Sequence, residues 1–388
     1  RLFDVPGHTT AATAQSDVPG GSWQHCTPQS VAGFSAVGYF FGRHFHRETG
    51  VPVGLLGTNW GGTRIEPWTP PVGFRSVPEL KGLADQVDRF DPTTDAGKAT
   101  WEAHLKNIEA WIAKTRSSLA AGTDVNNAPQ TPGFTGGGDP TAIYNSMVHG
   151  LAPYGVRGAL WYQGESNGSE GVSYFHKMQA LIKGWRNVWG QGDFPLYFYF
   201  VQLADFQQPN DNPAGGDGWA QLREAQRQTL TVPHTGMAVI TDIGAANDIH
   251  PRNKQDVGHR LALWALRDVA KKDVVPSGPL FKEIKVEGAS IRVHFEHAAN
   301  GLIVGSRKNG LEPTPEVKDG TLKRFAVAGE DKQWHWADAK IDGDTVVVSS
   351  KEVPKPLAVR YGFTMNPEGA NLYNKEGLPA SPFRSDDW

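Results

Sequence analysis

Two hydrophobic rhythms divide the chain. Val37, Phe40, Phe41 and Phe45 share one helix face, with Ser35 as N-cap and Gly50 and Pro52 closing the helix. The run from Val53 to Leu56 predicts a strand that feeds the polar loop Gly57-Thr58-Asn59-Trp60-Gly61-Gly62-Thr63-Arg64. Helical spacing at Leu80, Leu83, Val87 and Phe90, and again at Leu105, Ile108, Trp111 and Ile112, predicts a crossover layer. A Gly/Pro/Asn-rich connection over 120–140 follows it. Beyond it come a strand from Gly158 to Gln163, a helix face through Tyr174, Phe175, Met178, Leu181, Ile182 and Trp185, and a strand from Pro195 to Leu203. A helix through Trp219, Leu222 and Leu230, a strand from Met237 to Thr241 and a helix over 254–270 complete the series. Strands alternating with helices predict a doubly wound α/β domain with a parallel sheet, whose ligands bind beyond the carboxyl ends of the strands.

Near Pro276 the period changes to short alternating runs: Ile284 and Val286, then Ile291, Val293 and Phe295, then Val346 to Val348 and Leu357 to Tyr361. Asp342-Gly343 is a hairpin signal. The division expected is an α/β domain over 1–275 and a β-rich module over 276–388.

Charge narrows the partners. Lys+Arg 38 against Asp+Glu 41 gives −3 over 388 residues, without like-charge runs, so the footprint of a nucleic-acid binder is missing. No stretch of 18 apolar residues exists to span a membrane as a helix. One cysteine, Cys26, rules out a disulfide within the chain and a thiolate metal cluster, while leaving a bond to another chain open. No metal or cofactor is expected.

Three strand-end loops carry candidate chemistry. Gly61-Gly62 offers backbone N–H groups without a Cβ in the way, which suits an oxyanion hole or a tight turn. The loop Trp161 to Gly168 brings together an amide (Gln163), a carboxylate (Glu165) and a hydroxyl (Ser166). Gly164-Glu165-Ser166-Asn167-Gly168 also matches the G-x-S-x-G nucleophile elbow, and Asn167-Gly168-Ser169 is formally a glycosylation sequon. In Asp248-Ile249-His250-Pro251 the proline biases His250 toward extended geometry, and Asp248 or Asp242 could orient its imidazole. Trp60, Trp68 and Trp161 could stack on sugar rings or fill the core.

Gly61 to Trp68 (Gly-Gly-Thr-Arg-Ile-Glu-Pro-Trp), Trp161 to Asn167 (Trp-Tyr-Gln-Gly-Glu-Ser-Asn) and Asp248 to Pro251 resemble, in this order, three blocks of the sialate O-acetylesterase family of SGNH-type carbohydrate esterases. The tail Asn371 to Phe383 resembles its longer members. The resemblance implies an SGNH (flavodoxin-like) core with attached β-structure. It further implies His250 as general base, Asp248 as its orienting acid, Gly61 or Gly62 and Gln163 as oxyanion donors, and Asn59, Trp60, Arg64, Glu165 and Asn167 shaping the site. The family's Gly-Gln-Ser-Asn block, which carries the nucleophilic serine, does not occur here. The chain is therefore expected to lack its first strand and to be completed by an N-terminal peptide or a separate chain of the same precursor.

The function expected is removal of acetyl esters from sugars, of sialate or plant-polysaccharide type, by a secreted or periplasmic serine esterase. Two other readings stand beside it: an α/β-hydrolase using Ser166, and a noncatalytic carbohydrate-binding protein.

Overall fold

The computed structural model describes residues 1–190, 192, 195–306 and 311–388. Strands β1 (Leu2–Asp4) and β2 (Trp23–Gln24) are followed by helices α1 (Pro28–Val31) and α2 (Ala36–Thr49) and by strand β3 (Leu55–Gly57). Helices α3 (Pro71–Arg75), α4 (Lys81–Asp88) and α5 (Asp95–Ala121) form the crossover. Then β4 (Gly158–Trp161), α6 (Val172–Trp189), β5 (Tyr197–Val201), α7 (Gly218–Gln228), β6 (Thr235–Ala238) and α8 (Lys254–Asp268) alternate.

The parallel layer consists of two hydrogen-bonded pieces. One has the order β2-β1-β3, with β1 parallel to β3 and antiparallel to β2; the other has the order β4-β5-β6, all parallel. Every residue of β5 is buried, as a central parallel strand covered on both faces requires. Its alternation sends Phe198 and Phe200 toward α6, where Met178 and Leu181 lie, and Tyr197, Tyr199 and Val201 toward Val257 and Leu261 of α8.

α2 and α8 cover one face together. Gly258 makes this possible, because a Cβ there would lie 2.7 Å from the Phe40 Cβ and the Phe41 N. Ser35 caps α2 by accepting from the Gly38 N–H, and Gly50 ends it in the left-handed region, as its spacing predicts. α5 buries little of its surface. It runs for 27 residues with Gly97 alone buried, and Leu105 and Leu119 face solvent.

Strand edges shift by a few residues. β3 begins at Leu55, where pairing with β1 starts through Leu55 N–H to Arg1 O, so Val53 and Pro52 only lead in. β6 occupies Thr235–Ala238, ahead of the apolar run from Met237 to Thr241, because its ladder ends where Ala238 pairs with Val201.

Beyond α8 the chain becomes antiparallel: β7 (Leu280–Glu287), β8 (Ser290–Glu296), β9 (Leu302–Val304), β10 (Phe325–Ala328), β11 (Trp334–Trp336), β12 (Asp338–Asp342), β13 (Thr345–Ser349), β14 (Ala358–Tyr361), β15 (Leu372–Asn374) and β16 (Phe383–Arg384). These form sheets β12-β13-β8-β7 and β11-β10-β14-β16 around a second core of Ile291, Val293, Val327, Val346, Val359 and Phe383, with β15 paired to β9. Gly343, at φ +64, turns the β12–β13 hairpin.

A buried ion pair fixes α8 to the end of β6. Arg260 donates to both oxygens of Asp242, at 2.5 and 2.7 Å, and to the Val239 carbonyl at 2.7 Å. Asp242 is thereby removed from the choice of acids for His250. Breaking such a buried pair from one side costs about 3–5 kcal/mol, whereas replacing both charges by apolar groups is far milder. Arg260→Leu should therefore lower stability by that amount in urea unfolding, and Arg260→Leu combined with Asp242→Leu should recover most of it.

Candidate functional site

The loops after β3 and β4 meet at one end of the α/β layer and are joined directly. The Gln163 amide donates to the Thr63 carbonyl at 3.1 Å, Arg64 donates to the Ser166 carbonyl at 3.0 Å, and the Ser166 hydroxyl donates to the Gly62 carbonyl at 3.0 Å. Gly62 sits at φ +76, a conformation that favours glycine. Among the described residues, no hydrogen bond uses the N–H of Gly61 or Gly62, and a Cβ on Gly61 would meet no protein atom within 4 Å. These donors are available to an incoming oxygen.

Beneath the loops lies a buried polar network. Asn167 accepts from the Ile65 N–H and from Gln163, and donates to Glu66 at 3.2 Å. Lys177 of α6 donates to Glu66 at 2.6 Å and to Glu170 at 2.5 Å; Arg64 pairs with the same two carboxylates. Burial pushes the Glu66 carboxyl up, but Lys177 and the Asn167 amide outweigh it and hold the group below its ordinary range. Asn167 is fully buried, so the sequon Asn167-Gly168-Ser169 presents no acceptor to solvent. Both hydrogens of the Gln163 amide are engaged, with Thr63 and Asn167 as acceptors, while the Tyr174 hydroxyl donates to its oxygen at 2.8 Å. In this arrangement Gln163 braces the two loops rather than presenting an N–H to a ligand. Arg64 likewise shapes the site from behind.

Ser166 does not form an elbow with a base. It lies in the single 3₁₀ turn Glu165–Asn167, six residues ahead of α6. Its hydroxyl is bonded to Gly62, and no histidine is hydrogen-bonded to it among the described residues.

His250 follows β6 on an exposed loop, with 81% of its side chain accessible. Its Nδ1 stands 3.9 Å from Asp248 Oδ1, an ion-pair distance rather than a hydrogen bond. That oxygen accepts from the backbone N–H of His250 itself at 2.9 Å. Burial raises the Glu165 pKa, and backbone hydrogen bonds, Lys254 and His250 only partly oppose the rise. Lys254 in turn is lowered by burial, against Glu165 and Asp248, and its ammonium lies 4.8 Å from the Tyr162 ring centroid.

The three tryptophans separate. Trp68 and Trp161 are core residues, whereas Trp60 is half-buried and stacks on His8 with centroids 4.9 Å apart. Asn59 is exposed beside it. Sequence reasoning missed Glu66, Glu170, Tyr174, Lys177 and His8. Lys177 did carry a signal: it shares a helix stripe with Tyr174, Met178 and Leu181, where a charged residue demands a buried partner.

The family model for sialic acid-specific acetylesterases among the carbohydrate esterases matches residues 120–267. Sialate O-acetylesterases from Rattus norvegicus and Mus musculus are 30% and 28% identical over 373 residues, which is 90% of this chain and 63% of each relative. The chain thus spans about three-fifths of the length of the curated relatives it matches. A crystal structure of a carbohydrate acetylesterase from Xanthomonas citri superposes with a TM-score of 0.74 at 35% identity, covering 100% of this chain and 73% of that one. An α/β layer with an antiparallel β-module, these loops in this order and those relatives agree: the chain belongs to the sialic acid-specific acetylesterase family of carbohydrate esterases.

Proposed function

We propose that the chain is the larger part of a serine O-acetylesterase acting on acetylated carbohydrate outside the cytoplasm, with the nucleophilic serine on polypeptide beyond these 388 residues. The observations that support this reading are the unused Gly61 and Gly62 N–H donors on one strand-end loop and the accessible His250–Asp248 pair on another, which lies close enough for His250 to act electrostatically on Glu165 of the loop after β4, on a chain whose own loop serine is bonded elsewhere. The incoming serine oxygen attacks the acetyl carbonyl while His250 takes its proton. The glycine donors stabilise the tetrahedral oxyanion. Collapse breaks the ester C–O bond, and the proton on His250 goes to the departing sugar oxygen. Water then attacks the acyl-serine by the same route, His250 accepting its proton and returning it to the serine as acetate leaves. Asp248 has to close the 3.9 Å separation to stabilise the imidazolium, a tightening common when substrate completes a site. Asn59, exposed at the rim, and the half-buried Trp60 beside it would meet the sugar.

A fluorophosphonate probe applied to the chain together with its upstream polypeptide should label a serine outside residues 1–388. An adduct on Ser166 would transfer the reaction to the elbow, and no adduct at all would favour sugar binding without hydrolysis. In the same preparation His250→Ala should reduce acetate release by at least about 10³-fold with unchanged stability, since triad members act as a unit and this side chain is exposed.

Glu165 provides a pH test. A carboxyl raised in the folded state binds its proton more tightly there than in the unfolded chain. Stability is thus fullest below its ordinary value of 4.5 and falls as pH rises through the raised one. Glu165→Gln removes that slope. Its urea midpoint relative to the parent should increase from pH 4 to pH 7; a constant difference would mean that the carboxyl titrates normally.

A further inference from the structure

We infer that α5 is a projecting arm that pairs antiparallel with α5 of a second copy of this chain, joining two copies in a symmetric dimer.

The body grips α5 at its amino end. Thr94, its N-cap, donates to the Asp88 carbonyl at 2.6 Å, the Trp101 indole donates to the Phe90 carbonyl at 3.2 Å, and Gly97 lies so close to the Asp91 carbonyl that no Cβ would fit. After Gly122 the chain runs back along the helix. The Trp111 indole donates to the Asn126 carbonyl at 2.8 Å, and Phe134 rejoins the body against Phe90, with ring centroids 4.8 Å apart. Every residue from Leu119 to Ala128 is exposed. The carboxyl half of α5, with its returning segment, thus stands away from the body as an arm.

Its outer face is not polar. Leu105, Ile112 and Leu119 are 56%, 39% and 67% exposed, and they recur every seven residues. That spacing drifts by only about 20° per repeat, so the three form one stripe about 21 Å long. A seven-residue apolar repeat is the pattern of a helix that packs along another helix. The returning segment does not fill this role, because Trp111, which contacts it, points about 100° away from Ile112.

The stripe is complementary to itself. With a two-fold axis at Ile112, that residue meets its counterpart, and Leu105 meets Leu119 of the second copy. Glu109 and Arg116 share one flank of the stripe, three residues before Ile112 and four after it, so each comes level with the other across the pair. Both are exposed, and neither has an ion-pair partner among the described residues. A parallel pair in register would set Glu109 against Glu109 and Arg116 against Arg116; charge therefore selects the antiparallel one. That orientation also places the two bodies, each at the amino end of its own arm, at opposite ends of the pair. Glu102 and Glu109 beside the stripe disfavour an anionic lipid surface as its occupant.

Sedimentation equilibrium of the chain from about 1 μM to about 500 μM should show the mass rising toward that of two copies, with the weak affinity of a short interface. Ile112→Arg should abolish the rise. Glu109→Arg and Arg116→Glu should each weaken association by at least about 10-fold, since each turns two opposite-charge pairs into two like-charge pairs. Mixed in equal amounts, these two variants should associate as tightly as the parent, because every pair across a mixed dimer is again of opposite charge. That recovery also requires both variants to be folded, and one chain carrying both substitutions should recover likewise. A single-copy mass at the highest concentration, as when a different protein covers the stripe, would overturn the inference. So would association that survives Ile112→Arg, charge variants that associate like the parent, or variants that stay weak both when mixed and when the two substitutions are combined.

Discussion

Lys177 is the charge on which the geometry of the site depends. β3 and β4 are not hydrogen-bonded to each other, so no ladder sets the position of one strand-end loop against the other. The register comes instead from an ammonium buried between Glu66 and Glu170, with Asn167 and Gln163 carrying it to the backbone of Ile65 and Thr63. A buried ion pair is weak evidence for stability, because desolvation offsets attraction. Its effect here is selection: an arrangement that separates the loops strands three charges and a primary amide out of water. The network therefore specifies one loop arrangement.

Above that base the proposed catalytic pair is held loosely. Asp248 caps the His250 backbone more closely than its ring, and the ring is mostly in solvent. Glu165 and Lys254 face each other across partial burial, each shifted against its charged form by desolvation. The floor is fixed by its buried charges, and the histidine above it, mostly in solvent, is free to reorient.

Local features were legible in the sequence, and long-range partnerships were not. Ser35, Gly50 and the apolar stripes announced α2, α6 and α8 because capping and helical periodicity act within a few residues. The strands were found with shifted ends, since β3 and β6 are bounded by pairing with β1 and β5 rather than by their own apolar runs. Asp242 looked as suitable an acid as Asp248 until Arg260, on the following helix, claimed both its oxygens. Gln163 looked like a free donor because Thr63 lies a hundred residues earlier. Whether Trp68 and Trp161 stack on sugar or fill the core stayed open in the sequence for the same reason: composition marks an amphipathic ring, and only packing says which side of it is wet.

The β-module is fastened to the layer by buried polar contacts of the same kind. Arg223 of α7 is fully buried. It donates to the carbonyls of Leu203 and Ala204 in the core and of Thr364 and Met365 in the tail. Burial lowers its guanidinium to about 10, with Asp205 and Asp217 opposing, so it remains charged at neutral pH. Asp217 caps α7 through one oxygen and accepts from Thr364 and Met365 through the other. Gln202, at the end of β5, bonds Ser381. A module fastened through buried donors at the carboxyl end of β5 cannot swing without exposing them to an unpaired state. It therefore packs as a wall against the α/β layer, and the change of sequence rhythm near Pro276 marks a change of architecture.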